Sequence, residues 1–237
     1  MKKKVLIVGG TGMLGHRLEL CLRDRFETYV TVRSRDDRSA MAILDRSRVV
    51  SPVEARQFST VKEALKAAGA DIVINCIGVV KQRETPKMAI PMIELNSLFP
   101  HRLAALCMEA DAKLIHFSTD CVFSGSRGGY TEADLPDPAD LYGRSKLLGE
   151  VEDGTSLVLR TSIVGWETTH RLGLLEWFAG QRHKSIRGFE KAVFSGLTTS
   201  AISRLIADII ETRPDLSGLY HVASAPISKC SLLSRLR

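Results

Sequence analysis

The sequence lacks a long apolar run. Its N-terminal apolar segment, Val5 to Val8, is followed at once by glycines and is too short for an export signal. No later segment approaches the roughly 20 consecutive apolar residues that cross a bilayer. We therefore expect a cytoplasmic protein that has no membrane as a partner.

Closely spaced cysteines are also missing. The five cysteines are widely scattered, with no C-x-x-C pair and no metal-like spacing to the six histidines. We expect reduced, mostly buried thiols and no metal site built from them. They are Cys21, Cys76, Cys107, Cys121 and Cys230.

The positive charge is not gathered into one stripe. The formal net charge is +6, but the cations are spread along the chain. Asp36, Asp37 and Asp45 interrupt the densest basic group. This group is made up of Arg33, Arg35, Arg38, Arg46 and Arg48. Binding of a phosphorylated small molecule explains this basic group as well as binding of RNA would. Because the cations form no single stripe, we expect no nucleic-acid partner.

Apolar runs of strand length alternate with segments of helical period. Such alternation is typical of a parallel sheet, because each parallel strand needs a crossover connection, and nearly wholly apolar strands indicate a sheet covered on both faces. The sequence predicts an α/β protein with a Rossmann-type, doubly wound parallel sheet. The predicted strands are KVLIVG, TYVTVR, a weaker one near Val49, DIVINCIG, AKLIHFS, SLVLRTSIVG and GLYHVA, and the predicted helices span about 11–25, 61–68, 93–109, 141–150 and 198–211.

The sequence becomes less regular after Gly165. We predict a main domain over residues 1–165 and a smaller substrate-binding lobe over residues 166–237 that partly returns to the main domain. The chain stops at SKCSLLSRLR, which reads as the start of an amphipathic helix. We expect further C-terminal sequence beyond it.

A glycine-rich loop follows the first predicted strand. Gly9, Gly12 and Gly15 have G-x-x-G-x-x-G spacing and lie immediately before a helix. Small residues let the backbone approach a diphosphate, whose charge is then stabilised by free N–H groups at the helix N-terminus. The pattern predicts dinucleotide binding by this loop, including Thr11, Met13 and Leu14.

The end of the second strand indicates which dinucleotide is bound. Arg33 stands where a carboxylate would favour NAD and an arginine favours the extra phosphate of NADP. We predict NADP(H); the alternative is that Arg33 only points into solvent. At the end of DIVINCIG, we expect Asn75, Cys76 and Ile77 to lie against the adenine and ribose of the cofactor. Asn75 is equally well interpreted as a turn residue at the end of the strand.

A hydroxyl, a phenol and an ammonium group form a candidate catalytic set. Tyr142 and Lys146 are four residues apart on a predicted helix, so their side chains share one face. Thr119 directly follows the strand AKLIHFS, at the edge where open parallel sheets bind ligands. Tyr142 is a natural proton donor to the alkoxide that hydride transfer to a ketone creates.

Four segments resemble one enzyme family. They are GGTGMLG, STDCVFSG, GGYTEADLPDPADLYGRSKLLGE and LRTSIVG, and together they cover the chain from Lys4 to about Gly165. They resemble the extended short-chain dehydrogenases/reductases and, within these, the dTDP-4-dehydrorhamnose reductase (RmlD-like) family. The resemblance implies that Thr119, Tyr142 and Lys146 are catalytic, with Asp120 beside them. It implies NADPH-dependent reduction of the 4-keto group of a nucleotide-linked 6-deoxy sugar, in deoxysugar and polysaccharide biosynthesis.

The acidity of the phenol sets a condition on this mechanism. Lowering a phenol pKa from about 10 to about 7 requires roughly 4 kcal/mol of preference for the phenolate. One cation about 4 Å away supplies roughly 1 kcal/mol in bulk water but about 4 kcal/mol at an effective dielectric constant near 20. We therefore expect Lys146 to activate Tyr142 only where the cofactor and the second lobe shield the site.

Several features leave alternatives open. The family usually has tyrosine at the position of Cys121, so the sugar pocket differs in shape or in substrate. Asn96 either supports an active-site water or caps the following helix. The acidic run with Asp134, Asp137 and Asp140 either caps the Tyr142 helix or binds magnesium, for which no ligand set is evident. The basic group Arg182, His183, Lys184, Arg187 and Lys191 is either a diphosphate contact or a solvated loop.

Two other functions compete with the reductase. An epimerase or dehydratase of the same fold would recycle bound NAD, and Arg33 argues against it. A noncatalytic NADP-binding regulatory subunit is the rival from another class, because the RmlD-like group resembles the beta subunit of methionine adenosyltransferase. A homodimer is possible. The sequence does not specify which nucleotide sugar is the substrate.

Overall fold

A parallel sheet forms the centre of the protein. The computed structural model describes residues 2–81, 86–169 and 173–236. Within these ranges seven parallel strands are ordered β10-β6-β5-β4-β1-β2-β3. They are β1 Lys4–Val8, β2 Glu27–Thr31, β3 Val49–Val50, β4 Ile72–Asn75, β5 Lys113–Ser118, β6 Leu157–Thr161 and β10 Gly218–Val222. The order reverses direction after β1, which confirms the predicted doubly wound Rossmann-type fold.

Helices connect the strands. They are α1 Gly15–Leu22, α2 Arg38–Met41, α3 Phe58–Ala68, α4 Ala89–Met92, α5 Phe99–Glu109, α6 Leu141–Leu147, α7 Leu174–Ala179, α8 Thr199–Thr212 and α9 Lys229–Ser234. A π-helical turn, Ile93–Leu98, joins α4 to α5. No helix in the described ranges is long and apolar enough to span a bilayer.

Several predicted boundaries differ from the structure: α1 ends at Leu22, residues 93–98 of the predicted 93–109 helix are π-helical, and α6 ends at Leu147. The first helix begins at Gly15 rather than near residue 11, because residues 9–14 form the glycine-rich loop. The predicted strand SLVLRTSIVG is divided in two, and its second part, β7 Ile163–Val164, pairs with β9 Leu197–Thr198 outside the main sheet. A further small pair joins β8 Val193–Phe194 to β11 Ile227–Ser228.

Apolar side chains cover both faces of the sheet. Alternate residues of one strand point to opposite faces, so Ile7 joins the cluster beneath α1 and α8, whereas Leu6 joins the cluster beneath α3 and α5. Fully burying one such side chain contributes about 1.5–3 kcal/mol. Burial on both faces explains why the strands contain so few polar residues.

The segment after Gly165 returns to the main sheet. Ile202, Ile206 and Ile210 of α8 pack in the same cluster as α1, and Arg17 donates to Ser200 (2.9 Å). β10 pairs with β6 as an edge strand. The division of the chain at residue 165 stays a prediction. Both α8 and β10 come after this residue in the chain but pack on the main sheet.

Candidate active site

The glycine-rich loop is tightly packed against the end of β1. Gly9 has a φ of +98°, and a Cβ on Gly15 would lie 2.2 Å from the carbonyl oxygen of Gly9. Only glycine at position 15 therefore lets α1 begin this close to the strand. The loop is also held to β2, because Gly10 N donates to Thr31 O (2.8 Å).

The N-terminus of α1 fits a diphosphate. Leu14 is the N-cap residue and makes no side-chain capping bond, so the first N–H groups of the helix have no side-chain partner there. Together with the glycine backbone, these N–H groups form the type of cradle in which a dinucleotide diphosphate binds. The predicted loop residues Thr11 and Met13 lie at this end of the helix.

A second segment approaches this loop. Thr168 Oγ1 donates to Thr11 O (2.6 Å), and a Cβ built on Gly173 would lie 3.2 Å from the terminal carbon of Met13. The sequence analysis did not identify Thr168, and no local motif indicates it. A segment that lies 157 residues later in the sequence thus contacts the predicted cofactor loop.

Arg33 is exposed just beyond the end of β2. The loop lies beside this strand end through the bond between Gly10 and Thr31. The position is compatible with contact to the ribose side of a dinucleotide, and also with the alternative of a solvated side chain. Its role stays a prediction.

Asn75 makes a turn at the end of β4. Its Oδ1 accepts from Ile77 N (3.0 Å), and its Nδ2 lies 3.1 Å from Nδ1 of buried His116. Asn75 was interpreted either as a cofactor contact or as a turn residue, and its hydrogen bond to Ile77 N supports the turn. This turn presses Ile77 against the loop, because a Cβ on Gly9 would lie 2.9 Å from Ile77 Cγ1. Cys76 follows the strand directly, and contact of all three residues with a cofactor stays a prediction.

Thr119 and Tyr142 come together at the carboxyl end of β5. Asp140 caps α6 by accepting from Gly143 N (2.8 Å), and Lys81 forms an ion pair with Asp140 (2.6 Å). Burial raises the pKa of Tyr142 to about 12, and the hydrogen bond to Thr119 opposes that rise. The phenol is therefore protonated at neutral pH.

Lys146 is buried beneath the site and is directed at the sheet. Its Nζ donates to the main-chain carbonyl of Phe117. Burial lowers the pKa of Lys146 to about 8, whereas Glu150 and Cys76 act to raise it. Burial is the largest influence on the Tyr142 pKa, and activation of the phenol by Lys146 in a site shielded by cofactor stays a prediction.

Asp120 links the segments that follow β5 and β6. Its Oδ1 accepts from Thr119 Oγ1 (3.3 Å) and from Ser162 Oγ (3.3 Å). Cys121 Sγ lies 3.6 Å from the same oxygen, and burial raises the pKa of this thiol. Ser162 was not predicted as a site residue, although its position directly after a buried strand was an available signal.

Asn96 does not cap the following helix, whose N-cap residue is Leu98, and support of an active-site water by Asn96 stays a prediction. It is fully buried in the π-helical turn, where its Oδ1 accepts from Val79 N (2.8 Å). Its Nδ2 donates to Val79 O and to Ser145 Oγ, both at 3.0 Å. Asn96 therefore fastens the segment after β4 to the helix that carries Tyr142.

The acidic run makes turns. Asp137 accepts from Ser124, and Asp134 accepts from Thr131 and pairs with Arg127. Over residues 2–81, 86–169 and 173–236, no three acidic, histidine or cysteine side chains are grouped as a metal site requires. The basic group of residues 182–191 is exposed on the surface. Residues 82–85, which precede Asn96 in the sequence, lie outside the described residues.

A buried ion pair that was not predicted lies behind Lys146. Glu150 and Arg160 form an ion pair in which both side chains are 5% exposed. The signals were an acidic residue one helical turn after Lys146 and a single arginine within an apolar strand.

A Rossmann-type sheet with a glycine-rich loop and a Thr-Tyr-Lys set at its carboxyl edge defines the short-chain dehydrogenase/reductase class. The chain belongs to the RmlD substrate binding domain family, whose profile matches residues 2–232. The resemblance found in the sequence is thereby confirmed.

Named relatives include biosynthetic reductases. The chain is 28% identical over 231 residues to the probable low-salt glycan biosynthesis reductase Agl14 of Haloferax volcanii, covering 92% of this chain and 73% of that protein. It is 31% identical over 175 residues to dTDP-4-keto-6-deoxy-D-glucose reductase of Streptomyces niveus, covering 68% of this chain and 53% of that protein. The match thus spans only about half the length of the second relative.

A solved structure has the same fold. The dTDP-4-dehydrorhamnose reductase of Bacillus anthracis, in complex with NADP, superimposes with a TM-score of 0.81 at 24% identity. The superposition covers 100% of this chain and 80% of that one.

Proposed function

We propose that this chain is an NADPH-dependent reductase acting on the 4-keto group of a nucleotide-linked 6-deoxy sugar, in deoxysugar and polysaccharide biosynthesis. The observation behind the proposal is the packing of α6 on the segment after β5, with the half-buried Tyr142 next to Thr119 at the same sheet edge as the glycine-rich loop. Family membership and the names of the relatives support the reaction class.

Tyr142 serves as the proton donor. Bound NADPH supplies the hydride to the carbonyl carbon of the sugar. A phenol with a pKa of about 12 holds its proton at neutral pH and transfers it to an alkoxide, which is a stronger base. Thr119 orients the carbonyl oxygen next to this phenol by hydrogen bonding.

Lys146 supplies positive charge below the phenol. With a pKa of about 8, the amine is mostly protonated at pH 7. A cation in this buried place favours the phenolate that remains after proton transfer, and the low dielectric strengthens its effect. The amine thus assists Tyr142 without being the proton donor itself.

The glycine-rich loop and Arg33 hold the cofactor. Glycine backbone and the N-terminal amides of α1 receive the diphosphate. Arg33, exposed just beyond the end of β2, pairs with the additional phosphate that distinguishes NADP from NAD. A cytoplasmic location and a homodimer stay predictions.

A substrate screen tests the proposal. The purified protein is mixed with NADPH and each of several nucleotide-linked 4-keto-6-deoxy sugars, and NADPH absorbance is followed. We expect oxidation with at least one of them and much slower oxidation with NADH. Lack of oxidation with every sugar, combined with tight NADPH binding, would instead support a noncatalytic dinucleotide-binding subunit.

A further inference from the structure

Lys146 and Glu150 are attached to adjacent residues of β5. Lys146 Nζ donates to the carbonyl of Phe117, and Ser118 Oγ donates to Glu150 Oε1 (2.6 Å). The two side chains therefore bond neighbouring residues of one strand. The carboxylate is the acidic group that acts on the lysine amine.

Arg160 holds this carboxylate with two bonds. Its Nε donates to Glu150 Oε1 (2.8 Å) and its Nη2 to Oε2 (2.7 Å). Arg160 is directly opposite Ser118 in the register of β5 and β6, so both partners of the carboxylate come from rigid strands. The guanidinium carbon also lies 5.2 Å from the centre of the Phe123 ring. A bidentate pair of this kind fixes orientation as well as charge.

The backbone of Glu150 is held close to Lys146. Gly149 N donates to Lys146 O (3.0 Å), which closes the turn after α6. A Cβ on Gly149 would lie 1.8 Å from the carbonyl oxygen of Asn96, so the turn packs directly on the π-helical segment. The backbone that carries Glu150 is therefore fixed relative to Lys146.

We propose that the buried Glu150–Arg160 pair is a positioning pair for Lys146, which keeps the amine on the Phe117 carbonyl and sets how much negative charge faces it. The proposal rests on the proposed function in one respect, namely that Lys146 assists Tyr142. Arg160 occupies both oxygens of Glu150, so the carboxylate does not draw the amine away from β5.

Three other titratable groups of the site are neutral at neutral pH. Burial raises the pKa of the Cys76 thiol after β4 and holds the pKa of His116 on β5 well below its usual value. Tyr142 on α6 is protonated. The pair therefore supplies the ionised groups next to Lys146, while His101 on α5 acts on His116.

The two partners have opposite effects on the amine. Glu150→Gln removes the negative charge and leaves the arginine uncompensated, so the Lys146 titration midpoint falls by about one pH unit. Arg160→Met leaves an uncompensated carboxylate, so the midpoint rises. In the double variant both charges are lost, and its midpoint lies between those of Glu150→Gln and the unmodified protein. A merely structural pair gives no such order.

The experiment follows Lys146 directly by carbon NMR. Protein labelled with 13C at the lysine ε-carbons is titrated without substrate, and the Lys146 signal is assigned with Lys146→Arg. As a control, Glu94→Gln breaks the exposed Arg56–Glu94 pair (2.9 Å) and leaves the Lys146 midpoint unchanged. The expected order of midpoints supports the proposal, whereas shifts in the same direction for both single variants overturn it.

Folding and activity are read separately. Circular dichroism confirms that each variant is folded. If a single variant does not fold, the double variant is used, because it has no unpaired buried charge. A Lys146 midpoint in the double variant equal to that of the unmodified protein overturns the proposal. The pH profile of kcat on the sugar found in the screen shifts in the same order. Ordered midpoints without any sugar reduction contradict the proposed function but leave the positioning role standing.

Discussion

The carbonyl oxygen of Cys121 lies where a side chain at Gly143 would have to be: a Cβ at position 143 would approach it to 2.3 Å. The helix that carries Tyr142 thus packs, backbone against backbone, on the segment that carries Thr119. This close approach brings the phenol and the threonine hydroxyl together.

Gly143→Ala tests the importance of this approach. The added methyl group forces the helix and the segment apart, so we expect a loss of about 1–3 kcal/mol in the free energy of unfolding and a lower kcat. Urea unfolding and NADPH oxidation measure the two effects. Gly180→Ala is the matched control, because its Cβ meets only ordinary contacts, 3.4 Å at the nearest. Equal activity and stability in the two variants would contradict the interpretation.

Tyr142→Phe removes the proton donor but keeps the ring. We expect NADPH binding to be unchanged and reduction to fall about 10²- to 10⁴-fold. Fluorescence titration measures binding, and steady-state turnover measures reduction. Tyr220→Phe, on the edge strand β10, serves as the control and should retain activity. Undiminished turnover in Tyr142→Phe would exclude the phenol as the acid.

Arg33→Ala tests cofactor choice. Loss of a charge-assisted bond to phosphate costs about 1.5–3 kcal/mol, so KM for NADPH should rise at least tenfold while KM for NADH changes little. Arg204→Ala, an exposed arginine on α8, is the control. An equal effect on both cofactors would assign Arg33 to the solvated alternative.

Lys146→Met changes how stability depends on pH. Burial lowers the pKa of the lysine to about 8 from its usual 10.5, so the charged amine opposes folding below pH 8 by about 3 kcal/mol, and this cost disappears as the pH rises from 8 to 10.5. Loss of the bond to Phe117 O offsets about 1 kcal/mol of the gain.

We therefore expect Lys146→Met to be more stable than the unmodified protein at pH 7, with the difference shrinking and then reversing toward pH 10.5. Urea unfolding at a series of pH values measures this. Lys62→Met, which removes an exposed lysine on α3, should show no such pH dependence. If Lys146→Met were less stable than the unmodified protein at pH 7, burial of the charged amine would not destabilise the folded protein.

Local patterns in the sequence were sufficient for the main sheet, the glycine-rich loop and the longer helices, but not for the short helices α2, α4 and α7. Strand and helix periods depend on neighbouring residues, and the spacing of Gly9, Gly12 and Gly15 is itself the requirement for a close turn. The four-residue spacing of Tyr142 and Lys146 likewise places both on one helical face.

Only the tertiary structure decided where these side chains point. Lys146 is directed at Phe117, 29 residues earlier, and Asn96 bonds Ser145, 49 residues later. Such contacts depend on which strands become neighbours and on how closely helices pack, and no local period encodes them. Burial also arises only on folding. It raises the pKa of the Tyr142 phenol, which therefore keeps its proton, and it lowers the pKa of the Lys146 amine.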